Sequence, residues 1–166
     1  MDTDDAVIVA LGGNLALEGQ AVQAVLELAA GRLAGAGLRP VRRSGWWRSS
    51  AWPDPTQPPF LNAVALVETA LAPRDVLEAL LGIETAFGRR RSAPNAPRTL
   101  DLDLIAYGRS VIDEPGLILP HPRAAERLFV MGPLAQIAPD WKHPVSGETA
   151  ADLAAMATVG MDATPV

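Results

Sequence analysis

Asp101 and Asp103 stand two residues apart in the stretch PRTLDLDLI, residues 97–105. On a strand, side chains alternate, so the two carboxylates share one face, ~6 to 7 Å apart, while Leu100, Leu102 and Leu104 take the other. Two carboxylates on one face repel each other, and a hard divalent cation with oxygen ligands relieves that repulsion. Mg²⁺ is usually held by one or two carboxylates, with substrate phosphates filling its remaining positions. A bare Asp-x-Asp is more often a solvated pair on an edge strand, but here the neighbours shift the balance. Arg89, Arg90, Arg91 and Arg98 precede the pair, and arginine's planar fork meets phosphate oxygens bidentately. Carboxylates flanked by arginines have the composition of a metal-polyphosphate site.

Further groups fit the same chemistry. The segment LPHPRAAERLF, residues 119–129, sets His121 between two prolines, with Arg123, Arg127 and Phe129 following. A histidine in a rigid turn can donate to a phosphate or polarise a leaving oxygen. His143 has no such neighbours and is assigned no role. Phe60 and Asn62, two residues apart, share a face of another expected strand. An aromatic plane beside an amide that both donates and accepts suits a flat heterocycle.

The whole chain limits what such a site can be. It has 166 residues, 49% of them hydrophobic and 20% charged, which favours a folded chain, expected as one domain over 1–166. Of its 14 basic residues the only lysine is Lys142. A P-loop needs Gly-Lys-Ser/Thr and a protein-kinase site needs a strand lysine, so neither is available. The net charge of −5 argues against a groove that follows a nucleic-acid backbone, and so against a metal-dependent nuclease. With no cysteine there is no disulfide, thiolate zinc site or cysteine nucleophile. The start, residues 1–5, is acidic and lacks the positive flank of a secretory signal. No apolar run approaches the ~18 to 20 residues of a bilayer span. A soluble cytoplasmic protein without membrane or nucleic-acid partners is expected.

The elements that must hold these residues follow from pattern. Residues 6–11 (AVIVAL) read as a buried strand running into Gly12 and Gly13, and residues 17–33 as a helix. Residues 38–48 suit a second strand and 60–69 a third that is apolar on both faces. Pro53, Pro55, Pro58 and Pro59 between them make a loop that can act as a lid. Pro73 opens a helix that runs to Gly88, the polar stretch 88–98 follows, and 99–106 is a fourth strand. Short helices are expected near 127–137 and 149–158. Strand, helix, strand, strand, helix, strand is the order of a ferredoxin-like split βαβ, an α+β fold with helices covering one face of an antiparallel sheet.

Taken in order and spacing, GGNL (12–15), FLNAV, IETAFGR, PRTLDLDL, LPHPR and RLFVMGPLAQIAP resemble the 6-hydroxymethyl-7,8-dihydropterin pyrophosphokinase family of folate biosynthesis. The match runs from about residue 6 to 139 and leaves 140–166 as a tail with a weak helix. The resemblance implies a ferredoxin-like enzyme, a monomer, that moves the β,γ-pyrophosphoryl group of ATP to the hydroxymethyl oxygen of the pterin and releases AMP. It implies two Mg²⁺ ions on Asp101 and Asp103, with Arg89 and Arg98 on the phosphates and the transition-state charge. It puts Glu84, His121 and Arg127 at the nucleotide. It puts Asn62, Phe60 and Phe129 around the pterin, with Ser49 and Trp52 in the pocket wall and the 49–59 and 88–97 loops as lids. The chain departs from the family where Pro94, Asn95 and Ala96 replace a frequent Arg-Trp-Gly, with Arg90 or Arg91 available to compensate. Ser49 and Ser50 replace Thr-Pro, and Trp52 replaces an aliphatic residue. A non-catalytic nucleotide-binding regulatory module is the alternative. It predicts loss of an acidic ligand or of the phosphate arginine, yet Asp101, Asp103 and Arg98 are all present.

Overall fold

The computed structural model describes residues 2–14, 21–50, 56, 59–88 and 100–166. The run VIVALGG carries no polar side chain and forms β1 (Val7–Gly13), buried along its whole length. It is followed by α1 (Val22–Arg32), β2 (Arg39–Arg43), β3 (Trp47–Ser49), β4 (Phe60–Glu68), α2 (Pro73–Ala86) and β5 (Asp101–Tyr107). A hairpin of β6 (Ile112–Glu114) and β7 (Leu117–Leu119), then α3 (Leu128–Ile137), α4 (Ala150–Met156) and β8 (Thr164–Pro165) complete the order. The main sheet runs β5-β1-β4-β3-β8, with β2 also on β4, and every pairing is antiparallel. β2 and β3 together fill the place of the second strand, which makes this the expected ferredoxin-like α+β fold.

The expected single strand over 38–48 is two, and Ser44 is the reason. Its N–H donates to the Val64 carbonyl at 2.9 Å, and its Oγ accepts the Val64 N–H at 2.9 Å in place of a strand carbonyl. The chain can therefore bend between β2 and β3 without leaving a buried donor unpaired.

Helices cover both faces of the sheet, where the sequence pattern suggested one. Val7, Val9 and Leu11 of β1 face Val25, Leu26 and Ala29 of α1 and Val76, Leu80 and Ile83 of α2. Ile8 and Ala10 face the other way, with Val64 of β4, into a second core with Met131, Leu134, Trp141 and Leu153 from α3, α4 and the turn between them. A strand that is apolar on both faces needs two covers, and the nearly all-apolar α3 (LFVMGPLAQI) is built for burial. Gly132 lets α3 come close: a Cβ there would lie 2.6 Å from the Trp47 ring. Among the described residues, no helix is long and apolar enough to cross a membrane.

Replacing Ser44 with alanine leaves the Val64 N–H buried without its acceptor. Ser44→Ala is expected to lose about 1 to 3 kcal/mol of stability in denaturant titrations; an unchanged midpoint would contradict this account of the bend.

Candidate active site

Strand register assembles the site. Trp47 pairs with Asn62, Asn62 with Gly12, and Gly12 with Asp101. Residues directly opposite in antiparallel ladders present their side chains to one face, so this row crosses four strands on the α3 side of the sheet. One step along, Ala10 lies between Val64 and Asp103. Gly12 is required here because a Cβ would lie 2.5 Å from Asn62 Oδ1. The Asn62 amide thus lies over β1, in the gap between its own strand and the aspartates.

Asp101 and Asp103 are both half-buried on that face, while Leu102 and Leu104 sit in the opposite core, as the alternation predicts. β5 is an edge strand with outward N–H groups that β1 cannot satisfy. One of them, Leu102 N–H, donates to Glu84 Oε2 at 2.8 Å. Glu84 is only 2% exposed, on the last turns of α2. The resemblance put this residue at the nucleotide; its hydrogen bond also fixes the strand between the two aspartates. Where Ile8 pairs with Ala106 and Val9 with Leu104, Ile105 is the extra residue of a bulge just beyond Asp103.

His121 is tied back to this bulge, its N–H donating to the Ile105 carbonyl at 2.8 Å. Its Nδ1 accepts the Arg123 N–H at 3.2 Å, which assigns the ring proton to Nε2 as a donor for a ligand. Burial first, then the Arg127 guanidinium, hold the imidazole pKa below its ordinary value of 6.5; Arg123 acts in the same sense and Asp101 opposes them. Asp101, His121, Arg123 and Arg127 therefore share one local field. A cavity of about 240 Å³ runs beside them, lined by Leu77, Asp103, Leu117, Ile118, His121 and Pro122. Its apolar wall comes largely from the β6–β7 hairpin, whose three-residue strands are too short to show a period in the sequence. Pro115-Gly116, with Gly116 at φ 79°, was the available turn signal. A larger cavity of about 390 Å³ lies at the other end of β1, among Asp2, Asp5, Glu68 and Tyr107, away from every residue singled out by chemistry.

The ring-binding candidates lie on the same face. Phe60 pairs with Ser49, whose Oγ is 3.5 Å from the donating Asn62 Nδ2. Phe129, in the first turn of α3, packs against the core on this side, with the Arg127 guanidinium 5.7 Å from its ring centre. Arg89, Arg98 and Trp52 lie outside the described residues, as do Arg90, Arg91 and the Pro94-Asn95-Ala96 run. Among the described residues no cluster of three or more His, Asp or Glu could enclose a metal ion. The donor set is two hard carboxylates on one face, which suits Mg²⁺ completed by phosphate and water oxygens rather than a protein cage.

A family model described as 7,8-dihydro-6-hydroxymethylpterin-pyrophosphokinase matches residues 8–139. The chain is 44% identical over 143 residues to a 2-amino-4-hydroxy-6-hydroxymethyldihydropteridine pyrophosphokinase of Synechocystis sp., covering 86% of this chain and 71% of that one. It is 41% identical over 159 residues to the protein of the same name from Pseudomonas aeruginosa, covering 96% of each. Among solved structures, wild-type HPPK-DHPS of Plasmodium falciparum superposes over 90% of this chain with a TM-score of 0.69 at 13% identity. A crystal structure of an HPPK-DHPS in complex with substrates does so at 0.71 and 12%. This chain spans 44% and 42% of those two chains, and the likeness supports the fold alone.

The lowered His121 pKa has a consequence for stability. The unfolded chain takes up this proton near pH 6.5 while the folded chain resists it, so stability is full above pH 6.5 and falls as pH drops below it. His143, also held low chiefly by burial, acts in the same direction. In thermal melts between about pH 7 and 5, His121→Gln should flatten part of this fall, and the His121→Gln/His143→Gln double variant more of it. An identical pH profile in the variants would refute the assignment.

Proposed function

Because the chain belongs to the 7,8-dihydro-6-hydroxymethylpterin-pyrophosphokinase family, we propose that it transfers the β,γ-pyrophosphoryl group of ATP to 6-hydroxymethyl-7,8-dihydropterin in folate biosynthesis. The products are the pterin diphosphate and AMP. The observation that carries this reading is the shared sheet face: the aspartate pair lies on it with Asn62, Phe60 and Phe129, across the side-chain-free Gly12, and His121 is near enough to feel the charges of both Asp101 and Arg127.

In the reaction, the hydroxymethyl oxygen attacks the β-phosphorus. The bond from that phosphorus to the oxygen bridging it to the α-phosphorus breaks, AMP leaves with that oxygen, and the hydroxyl proton is lost. Such transfer needs in-line positioning and charge stabilisation rather than covalent help from the protein. Asp101 and Asp103 would hold two Mg²⁺ ions. Bound there, the ions supply positive charge against the phosphate oxygens. His121 donates from Nε2 and Arg127 from its guanidinium to the nucleotide, with Glu84 beside them and keeping the aspartate strand in place. Arg89 and Arg98 meet the charge that builds on the transferred group. Phe60 and Phe129 stack on the pterin, Asn62 reads its edge with both amide atoms, and Ser49 and Trp52 complete the wall. Closure of the loops 49–59 and 88–97 would exclude water once both substrates are bound.

Incubation with ATP, Mg²⁺ and the pterin should yield AMP only when the pterin is present. ADP, or no turnover from folded protein, would refute the proposal. Asp103→Ala should lower kcat by at least about a hundredfold with a melting midpoint near that of the parent; near-normal turnover would exclude the metal role of this carboxylate.

A further inference from the structure

Residues 157–166 lie beyond the 8–139 match and carry none of the motifs, yet they cross the ring-binding side of the site. Thr158 and Val159 donate their N–H groups to the Glu126 carbonyl, and the Val159 carbonyl accepts the Leu128 N–H. The tail is thus laid along the segment that leads into α3 and Phe129. Gly160 then turns with φ 67°, and a Cβ on it would lie 2.5 Å from Cδ1 and 3.0 Å from Cε1 of Phe129. Bare backbone is packed against that side of the ring, and only glycine allows both the conformation and the approach.

Two residues on, Asp162 Oδ2 accepts the Ser50 N–H at 2.8 Å. Ser50 opens the proline-rich loop and follows Ser49, the last residue of β3. The tail next pairs with β3 as β8, Thr164 opposite Arg48 and Pro165 opposite Trp47, and the Val166 N–H donates to the Trp46 carbonyl. One short segment therefore joins the Phe129 side of the pocket to the Ser49 side. Hydrogen bonds from Ser50, hydroxyl first and backbone second, hold Asp162 below its ordinary carboxylate range.

We infer that the C-terminal segment 158–165 is a positioning strap for the pterin pocket, in which Gly160 sets the Phe129 ring and Asp162 sets the root of the proline-rich loop. The inference rests on the pterin reading proposed above. Neither Gly160 nor Asp162 lines the 240 Å³ cavity that holds Asp103 and His121; the strap meets the nucleotide side at Val159, which bridges Arg127. A segment that merely covered the open edge of β3 would affect stability without distinguishing the two substrates.

The test is steady-state kinetics of the full chain carrying Gly160→Ala, Asp162→Ala or Asp162→Asn, with melting midpoints for each. Gly160→Ala is expected to raise the pterin KM about tenfold or more, and Asp162→Ala by about three- to tenfold, with the ATP KM within about twofold of the parent. Asp162→Asn keeps an oxygen acceptor for the Ser50 N–H and should restore a pterin KM near that of the parent. Should Gly160→Ala not fold, the two Asp162 variants decide. Equal changes in both KM values, or an unchanged pterin KM in folded variants, would overturn the strap. Absence of pterin-dependent AMP formation by the parent chain would instead overturn the functional reading on which it rests.

Discussion

The register of β1 between β4 and β5 is the constraint on which the rest of the site depends. A shift of one residue between β1 and β5 would turn Asp101 and Asp103 into the core of α1 and α2 and expose Leu102 and Leu104. Burying each leucine is worth about 1.5 to 3 kcal/mol, so alternation along LDLDL locks the register by itself. Glu84 adds a second lock by taking up the Leu102 N–H from the helix side. The bulge at Ile105 then lets both Ile105 and Ala106 join the core on the α3 face. The carboxylates are held in place because their neighbours in sequence are apolar.

The same sheet sorts the arginines. Most of those described outside the site have structural partners: Arg39 with Glu68, Arg43 with Glu27, Arg74 with Glu114, Arg42 with the Ile137 carbonyl and Arg109 with the Lys142 carbonyl. Exposed ion pairs of this kind contribute little, about 0 to 1 kcal/mol each, and they neutralise acids across the surface. Arg127 differs, since besides lying over Phe129 it depresses the His121 pKa. A net charge of −5 is therefore compatible with a basic corner, because binding responds to the local field and the total charge is set elsewhere.

What was legible in the sequence follows a physical division. Strands and helices with strong periodicity were found nearly in place: 6–11 became Val7–Gly13, 60–69 became Phe60–Glu68 and the Pro73 helix ends at Ala86. The Asp-x-Asp face was readable because alternation is a local rule. The break at Ser44 was not, since it depends on Val64, twenty residues away, offering a donor to a side-chain oxygen. The β6–β7 hairpin and β8 have three and two residues per strand, too short for any period to register. The second helical layer was implied by the two-faced apolar strands but overridden by the expectation of one covered face. Gly12 and Gly132 carry meaning only through what lies opposite them, and Gly160 through that and its positive φ, so no composition rule singles them out.

Under the proposed function, these close approaches would let one sheet face serve two unlike ligands. On that reading, the polyphosphate side would be held by α2 and the hairpin, which pack against β5. The ring side would be held by α3, β3 and the tail, at the other side of the sheet. Between them stands β1, buried throughout and ending in Gly12 and Gly13, so beyond Ala10 the strand offers no side chain of its own and the Asn62 amide lies over it. In-line transfer depends on the distance between a phosphorus and a hydroxymethyl oxygen, and an error of ~1 Å costs on the order of a hundredfold in rate. Under the proposed function, the strands that carry the aspartates and Asn62 would contribute to that distance through the hydrogen-bonded spacing of β5, β1 and β4.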